Sequence, residues 1–191
     1  MKKIGIFPGS FNPVHIGHLA LANYIKAYSD LDEIWMLVSP HNPLKSADSL
    51  CPEEHRFKML CIALNNDRTI KASDFEFSLP KPNYTVNTLN HLQEKYPNYK
   101  FTLIIGGDNW KNFHKWHRHD DILNHFSIIV YPRPDETIDK HISPDNVHII
   151  LAPVMEISST MLRESIKQHK DLHYFYPSGV YKYIQDNKLY L

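Results

Sequence analysis

Ile4-Gly5-Ile6-Phe7 runs into Gly9-Ser10-Phe11-Asn12-Pro13-Val14-His15-Ile16-Gly17-His18, which runs into Leu19-Ala20-Leu21-Ala22-Asn23-Tyr24-Ile25. The first piece is a short apolar run and reads as a buried strand. The last has a helical pattern. The middle piece therefore sits where a first strand hands over to a helix. In an open parallel sheet that junction is where ligands bind. A helix start there offers unpaired backbone N–H groups and a partial positive charge, both suited to phosphate. His15 and His18, three residues apart, lie on one face of such a turn and can be aimed at the same oxygens.

Working outward, strand-like and helix-like segments alternate along the chain. Strands are predicted at 3–7, 33–38, 69–73, 101–105, 127–131 and 147–151. Helices are predicted at 18–29, 52–65, 85–95, 120–124, 159–167 and 178–187. Pro52 followed by Glu53 and Glu54 marks one helix start clearly. Alternation at this spacing implies a mostly parallel sheet covered on both faces, a doubly wound, Rossmann-like α/β fold. No linker or repeat interrupts it, so one domain over residues 1–191 is expected. Pro-containing loops at 40–52 and 77–84 fall on the expected ligand side. Of six glycines, Gly9, Gly17, Gly106 and Gly107 cluster where strands are expected to end. Neither a G-x-G-x-x-G nor a P-loop pattern occurs, which argues against a dinucleotide oxidoreductase or a P-loop NTPase.

Composition narrows the partners. With 42% hydrophobic residues a globular core is affordable, and Lys+Arg and Asp+Glu are both 21. A net charge near zero argues against a broad nucleic-acid surface and leaves room for a local phosphate pocket. Cys51 and Cys61 form no CxxC pair or disulfide framework. Met1-Lys2-Lys3 leads straight into a strand, so neither a signal peptide nor a membrane span is expected, and the cytoplasm fits best.

Near the other end, Ile157-Ser158-Ser159-Thr160-Met161-Leu162-Arg163 repeats the logic of the first stretch: hydroxyls at a helix start, then an arginine one turn in. His15-Ile16-Gly17-His18 resembles the (H/T)-x-G-H motif of the nucleotidyltransferase superfamily, and Ile157 to Arg163 resembles its I-S-S-T-x-x-R. The two stand in that order, about 140 residues apart. With the middle of the chain, the resemblance is to the bacterial nicotinate mononucleotide adenylyltransferases and runs from about Lys3 to the C-terminus.

That resemblance implies an enzyme using ATP and nicotinate mononucleotide, with Mg²⁺ carried on ATP. It implies His15, His18, Lys45 and Arg163 as the groups acting on the phosphates. Gly9, Ser10, Phe11, Gly106, Asp108, Ile157, Ser158, Ser159 and Thr160 would bind ATP. Asn42, Thr85, Trp116 and Arg133 would bind the acceptor, with Trp116 against the pyridine ring. Read as residues alone, Trp110, Phe113 and Trp116 mark a half-exposed loop or short helix, and His114, His117 and His119 lack a fourth metal ligand at a familiar spacing. The rival readings are another adenylyltransferase of the superfamily, such as the one acting on phosphopantetheine, and a nucleotide sensor without activity. No serine or cysteine stands in an activating triad, and an acceptor phosphate needs no base.

Overall fold

The computed structural model describes residues 1–40, 50–65, 67–133 and 144–191. Six strands form one sheet: β1 (Lys2–Gly9), β2 (Glu33–Val38), β3 (Ile70–Ser73), β4 (Tyr99–Gly106), β5 (Ser127–Tyr131) and β6 (Val147–Ile149). Their spatial order is β3-β2-β1-β4-β5-β6, and every pairing is parallel. The helices are α1 (Ile16–Ala27), α2 (Glu53–Leu64), α3 (Thr85–Lys95), α4 (Gly107–Lys111), α5 (His119–His125), α6 (Ser159–Lys167) and α7 (Val180–Asp186). The chain winds outward from β1 to β3, then returns to lay β4 on the other side of β1. The sheet therefore has its switch point between β1 and β4, and a crevice opens beyond their carboxyl ends.

Both faces of the sheet are covered. Successive strand residues point to opposite faces, and β4 shows it directly. Ile104 joins Ala22 and Ile25 of α1, Met59 and Leu60 of α2, Leu162 of α6 and Ile184 of α7. Leu103 and Ile105 join Val86, Leu89 and Leu92 of α3 and Ile122 of α5. Burial on both sides is why β4 and β5 read as unbroken apolar runs rather than alternating ones.

Several boundaries differ from the sequence expectation for local reasons. α1 begins at Ile16, earlier than predicted, because His15 is the residue that opens it. β6 stops at Ile149: the Ala152 amide turns back to the Ile150 carbonyl at 2.9 Å and takes the chain out of the sheet. α4 falls partly in the segment around Trp110 that reads as a loop or short helix, but it starts earlier. Gly106-Gly107 reads as a turn, yet Gly106 ends β4 and Gly107 already begins the helix. The 3-10 turn at Phe113–Lys115 falls in the segment read as a loop or short helix, and those at Phe75–Ser78 and His173–Phe175 carry no periodic signal.

The carboxyl ends of β1 and β2 are tied together by a residue of α2. Arg56 is 1% exposed. Its Nε donates to the Cys51 carbonyl at 2.8 Å, its Nη1 to Ser10 at 2.7 Å and Ser39 at 2.8 Å, and its Nη2 to Pro40 at 2.9 Å. A planar fork of N–H groups suits such a task, since the carbonyls of irregular chain need donors when they are buried.

Arg56→Met should therefore destabilise the fold by about 3–5 kcal/mol, since it leaves several buried carbonyls without donors at about 1–3 kcal/mol each. Arg56→Lys should recover only part of it, because a compact ammonium cannot span four acceptors. Urea unfolding of the three proteins measures both. A loss below about 1 kcal/mol for the methionine variant, the scale of one ordinary hydrogen bond, would deny Arg56 this role.

Candidate active site

The crevice is built from the turn between β1 and α1. Gly9 ends β1, and a Cβ there would stand 2.7 Å from the Phe11 ring, so only glycine fits. The ring of Phe11, 2% exposed, packs edge-on to Phe7 and to His18. It is a post that supports the histidines, and any contact of Phe11 with a nucleotide falls to its main chain.

His15 and His18 are brought together. Their ring centroids are 3.7 Å apart, tilted by 32°. The His15 amide donates to His18 Nδ1 at 3.2 Å. A nitrogen that accepts carries no proton, so the neutral His18 ring holds its proton on Nε2. Gly17 leaves room between them: a Cβ there would stand 3.0 Å from His15 Nδ1 and 3.1 Å from Cε1, closer than side-chain contacts ordinarily come. The glycine of the motif is thus the floor across which the first histidine lies. His15 is 5% exposed, and its buried Nδ1 makes no hydrogen bond among the described residues. Burial first, and the Arg133 cation second, push its pKa down to about 4, so its ring is neutral at neutral pH.

The second motif is fastened to the first. Ser158 caps α6, accepting the Met161 amide at 3.1 Å. The Ser159 hydroxyl donates to the Pro13 carbonyl at 2.9 Å. Arg163 Nη1 donates to the Asn12 carbonyl at 2.8 Å, and its Nη2 to Thr160 Oγ1 at 3.3 Å. Leu162, fully buried, anchors the helix beneath. Ser158 is occupied by capping, as a serine at any helix start can be, while Ser159 and Arg163 join segments nearly the whole chain apart.

The third wall comes from β4 and β5. Asp108 lies in the first turn of α4, and Arg133 follows β5; Nε and Oδ1 are 3.7 Å apart, both side chains half-exposed. The guanidinium also sits over the Tyr131 ring at 5.3 Å. Exposed pairs of this kind contribute little to stability. A cleft of about 440 Å³, open to solvent, runs between His15, Gly17, His18, Tyr131, Arg133 and Ile157.

Thr85 and Trp116 lie on the opposite layer. Thr85 is the first residue of α3, and Trp116 closes the turn at Phe113–Lys115. The Tyr84 and His117 rings are 4.3 Å apart, so the two segments are neighbours. The Trp116 ring packs against Phe113 at 5.3 Å, and its own amide already donates to the Phe113 carbonyl at 2.9 Å. Asn42 and Lys45 lie outside the described residues. Asn12, which the sequence did not single out, is central: 5% exposed, its Oδ1 accepts the Cys51 amide at 3.1 Å and the Tyr190 hydroxyl at 3.0 Å. Arg56 was missed as well. Among the described residues no three His, Cys, Asp or Glu side chains gather as metal ligands; the imidazoles, guanidinium groups and hydroxyls of this site are chemically matched to phosphate oxygens.

His15 makes stability depend on pH. Its folded pKa of about 4 lies below the ordinary 6.5, so between these values the unfolded chain binds more protons than the folded one. The contribution is complete above pH 6.5 and is lost as pH falls toward 4. It amounts to about 3 kcal/mol. Urea unfolding between pH 7 and 4 should show the wild type losing about that much relative to His15→Gln. A difference that stays constant with pH would mean that His15 protonates freely in the fold.

Residues 6–165 match the profile of the Cytidylyltransferase-like family. The "Probable nicotinate-nucleotide adenylyltransferase" of Bacteroides fragilis is 49% identical over 182 residues, covering 95% of this chain and 90% of its own. The protein of the same description from Flavobacterium psychrophilum is 49% identical over 190 residues, covering 98% of each chain. Among solved structures, the nicotinic acid mononucleotide adenylyltransferase of Plasmodium falciparum, in complex with NaAD, shares the fold. Its TM-score is 0.83 at 24% identity, covering 100% of this chain and 98% of that one. With both motifs facing one crevice and likeness over nearly the full length, the chain belongs to the nicotinate-nucleotide adenylyltransferase family.

Proposed function

We propose that this chain transfers AMP from MgATP to nicotinate mononucleotide, releasing diphosphate and forming nicotinate adenine dinucleotide. The observation that carries the reading is the junction of the two motifs: Ser159 on the Pro13 carbonyl and Arg163 on the Asn12 carbonyl. That junction sets α6 against the turn that opens α1, so donors from both ends of the chain surround one place for phosphate. The family membership supplies the acceptor.

The chemistry asks little of covalent catalysis. An oxygen of the acceptor's 5′-phosphate, already ionised, attacks the α-phosphorus of ATP. The bond to the bridging oxygen breaks, and diphosphate leaves with the electron pair. Alignment and neutralisation of charge are what remain for the protein. His18 donates through Nε2, and His15 lies beside it. Lys45 and Arg163 add positive charge. Mg²⁺ enters on the substrate's own phosphates. Gly9, Ser10, Gly106, Asp108, Ile157 and Thr160 surround ATP, with Phe11, Ser158 and Ser159 shaping the turn and the helix start. Asn42, Thr85, Trp116 and Arg133 receive the acceptor. The whole chain acts as one domain, since both helical layers rest on one sheet. We place it in the cytoplasm, without nucleic-acid or membrane partners; no described helix is long and apolar enough to cross a membrane.

The test is diphosphate release by the purified protein with MgATP and, in parallel, nicotinate mononucleotide, its amide and phosphopantetheine. Turnover of the first is expected. Turnover of phosphopantetheine alone would assign the chain to the other adenylyltransferase, and no turnover with measurable ATP binding would make it a sensor. His18→Ala should keep its fold and lower kcat by about 10²–10³, since a donor aimed at developing charge acts in the transition state. Near-normal kcat in a folded variant would remove His18 from the chemistry.

Arg163→Lys should restore little of what Arg163→Ala loses. The guanidinium holds the Asn12 carbonyl and the Thr160 hydroxyl and carries five N–H groups in a fixed fork, enough to reach phosphate as well, whereas an ammonium on a flexible stem acts as a point charge. Equal ATP kinetics for wild type and the lysine variant would reduce Arg163 to its charge alone.

A further inference from the structure

The far C-terminus reaches the same turn. After α7 the backbone enters the left-handed region twice, at Lys188 (φ 52) and Tyr190 (φ 67). Side chains rarely adopt that conformation, and it persists where surrounding contacts impose it. Here it folds the last residues back: the Leu189 amide donates to the Ile184 carbonyl at 3.0 Å. The Tyr190 ring packs against the core layer shared by α1, α2 and α6. Its hydroxyl then donates to Asn12 Oδ1 at 3.0 Å.

Four fastenings meet at Asn12 and Pro13, three of them on Asn12. Its Oδ1 accepts from Tyr190 and from the Cys51 amide, and its carbonyl accepts from Arg163 Nη1. The next carbonyl, of Pro13, accepts from Ser159. Asn12 is 5% exposed and is held at both ends, by its side chain and by its carbonyl, so a contact that fixes the side chain also restrains the residue whose carbonyl receives Arg163. Burial, together with the neighbouring Cys51, pushes the Tyr190 phenol upward, so the group remains an O–H donor across the working pH range.

We propose that Tyr190 is a positioning residue for the transfer reaction: through Asn12 it sets the carbonyl that holds the Arg163 guanidinium toward phosphate. The proposal rests on the reading of Arg163 as a phosphate ligand. Tyr190 itself touches no substrate. It acts at a distance of two hydrogen bonds, and the cost of losing it is a misplaced guanidinium rather than a lost contact. Small displacements of a positioned group are costly to rate even when binding survives.

The experiment is a double-mutant cycle on kcat with MgATP and nicotinate mononucleotide, using wild type, Tyr190→Phe, Arg163→Ala and the double variant, each with its thermal midpoint. Phenylalanine keeps the packing and removes only the hydroxyl. Tyr190→Phe should lower kcat about tenfold while KM for nicotinate mononucleotide stays within about twofold. In the Arg163→Ala background the same change should have almost no effect, because the guanidinium it positions is gone. A chain ending at Leu189 should show the same dependence on Arg163. A merely structural Tyr190 would lower the thermal midpoint and leave kcat per folded protein unchanged, and that outcome overturns the proposal. Equal losses in both backgrounds overturn it too. The Arg163 Nε–H resonance of the ligand-free protein separates this from the wider reading. If wild type shows no turnover but Tyr190→Phe moves that resonance, the function fails and the positioning stands. If wild type turns over and the resonance stays in place, the positioning fails alone.

Discussion

Arg56 sends four N–H groups into the carbonyls of Ser10, Ser39, Pro40 and Cys51, and so joins the exits of β1 and β2 to the entry of α2. The reason such a residue is needed lies in the fold. A parallel sheet binds its ligand where its strands end, and there the chain can no longer satisfy its own carbonyls by pairing. Helix and strand supply partners automatically; a buried turn does not. A guanidinium answers several carbonyls at once and stays charged at any working pH. From it the order passes outward. Cys51, held by Arg56, gives its amide to Asn12, and Asn12 and Pro13 receive Arg163 and Ser159. The crevice is shaped by this chain of main-chain contacts more than by the side chains that face it.

This division explains what could be read in advance. The sheet was legible because doubly buried strands leave apolar runs and amphipathic helices leave a period. All six strands were found, β2 and β5 with the same bounds as the structure. The two motifs were legible because their residue types state their chemistry, and their physical junction bears on every phosphate-binding reading. What escaped were Arg56, whose work is done on carbonyls, and Tyr190, whose hydroxyl meets the Asn12 side-chain oxygen. Arg56 follows Glu53, Glu54 and His55 and looks like part of a solvated first turn. Tyr190 looks like a frayed end. A carbonyl acceptor belongs to every residue equally, so nothing in the sequence marks which ones need a donor. α4 was legible only in part: Trp110 falls in a segment read as a loop or short helix, while Gly106-Gly107 signals a turn by propensity and the tertiary setting at the end of β4 overrides it.

The histidine pair shows how the same scaffold settles charge. Two imidazoles with centroids 3.7 Å apart would repel each other strongly if both were protonated. Burial of His15, reinforced by Arg133, holds that ring neutral. His18 is then the ring that can respond to phosphate, and the His15 amide has already chosen its tautomer by occupying Nδ1. The first histidine thus contributes in two ways that its side-chain chemistry alone would not suggest. Its main chain orients its neighbour, and its uncharged ring places no second charge beside that neighbour. Gly17 makes both possible by leaving room for the ring. The spacing of the motif follows from this arrangement. One residue fewer between the histidines would turn the second ring away from the helix start, and a Cβ at Gly17 would press on the first ring by a few tenths of an ångström.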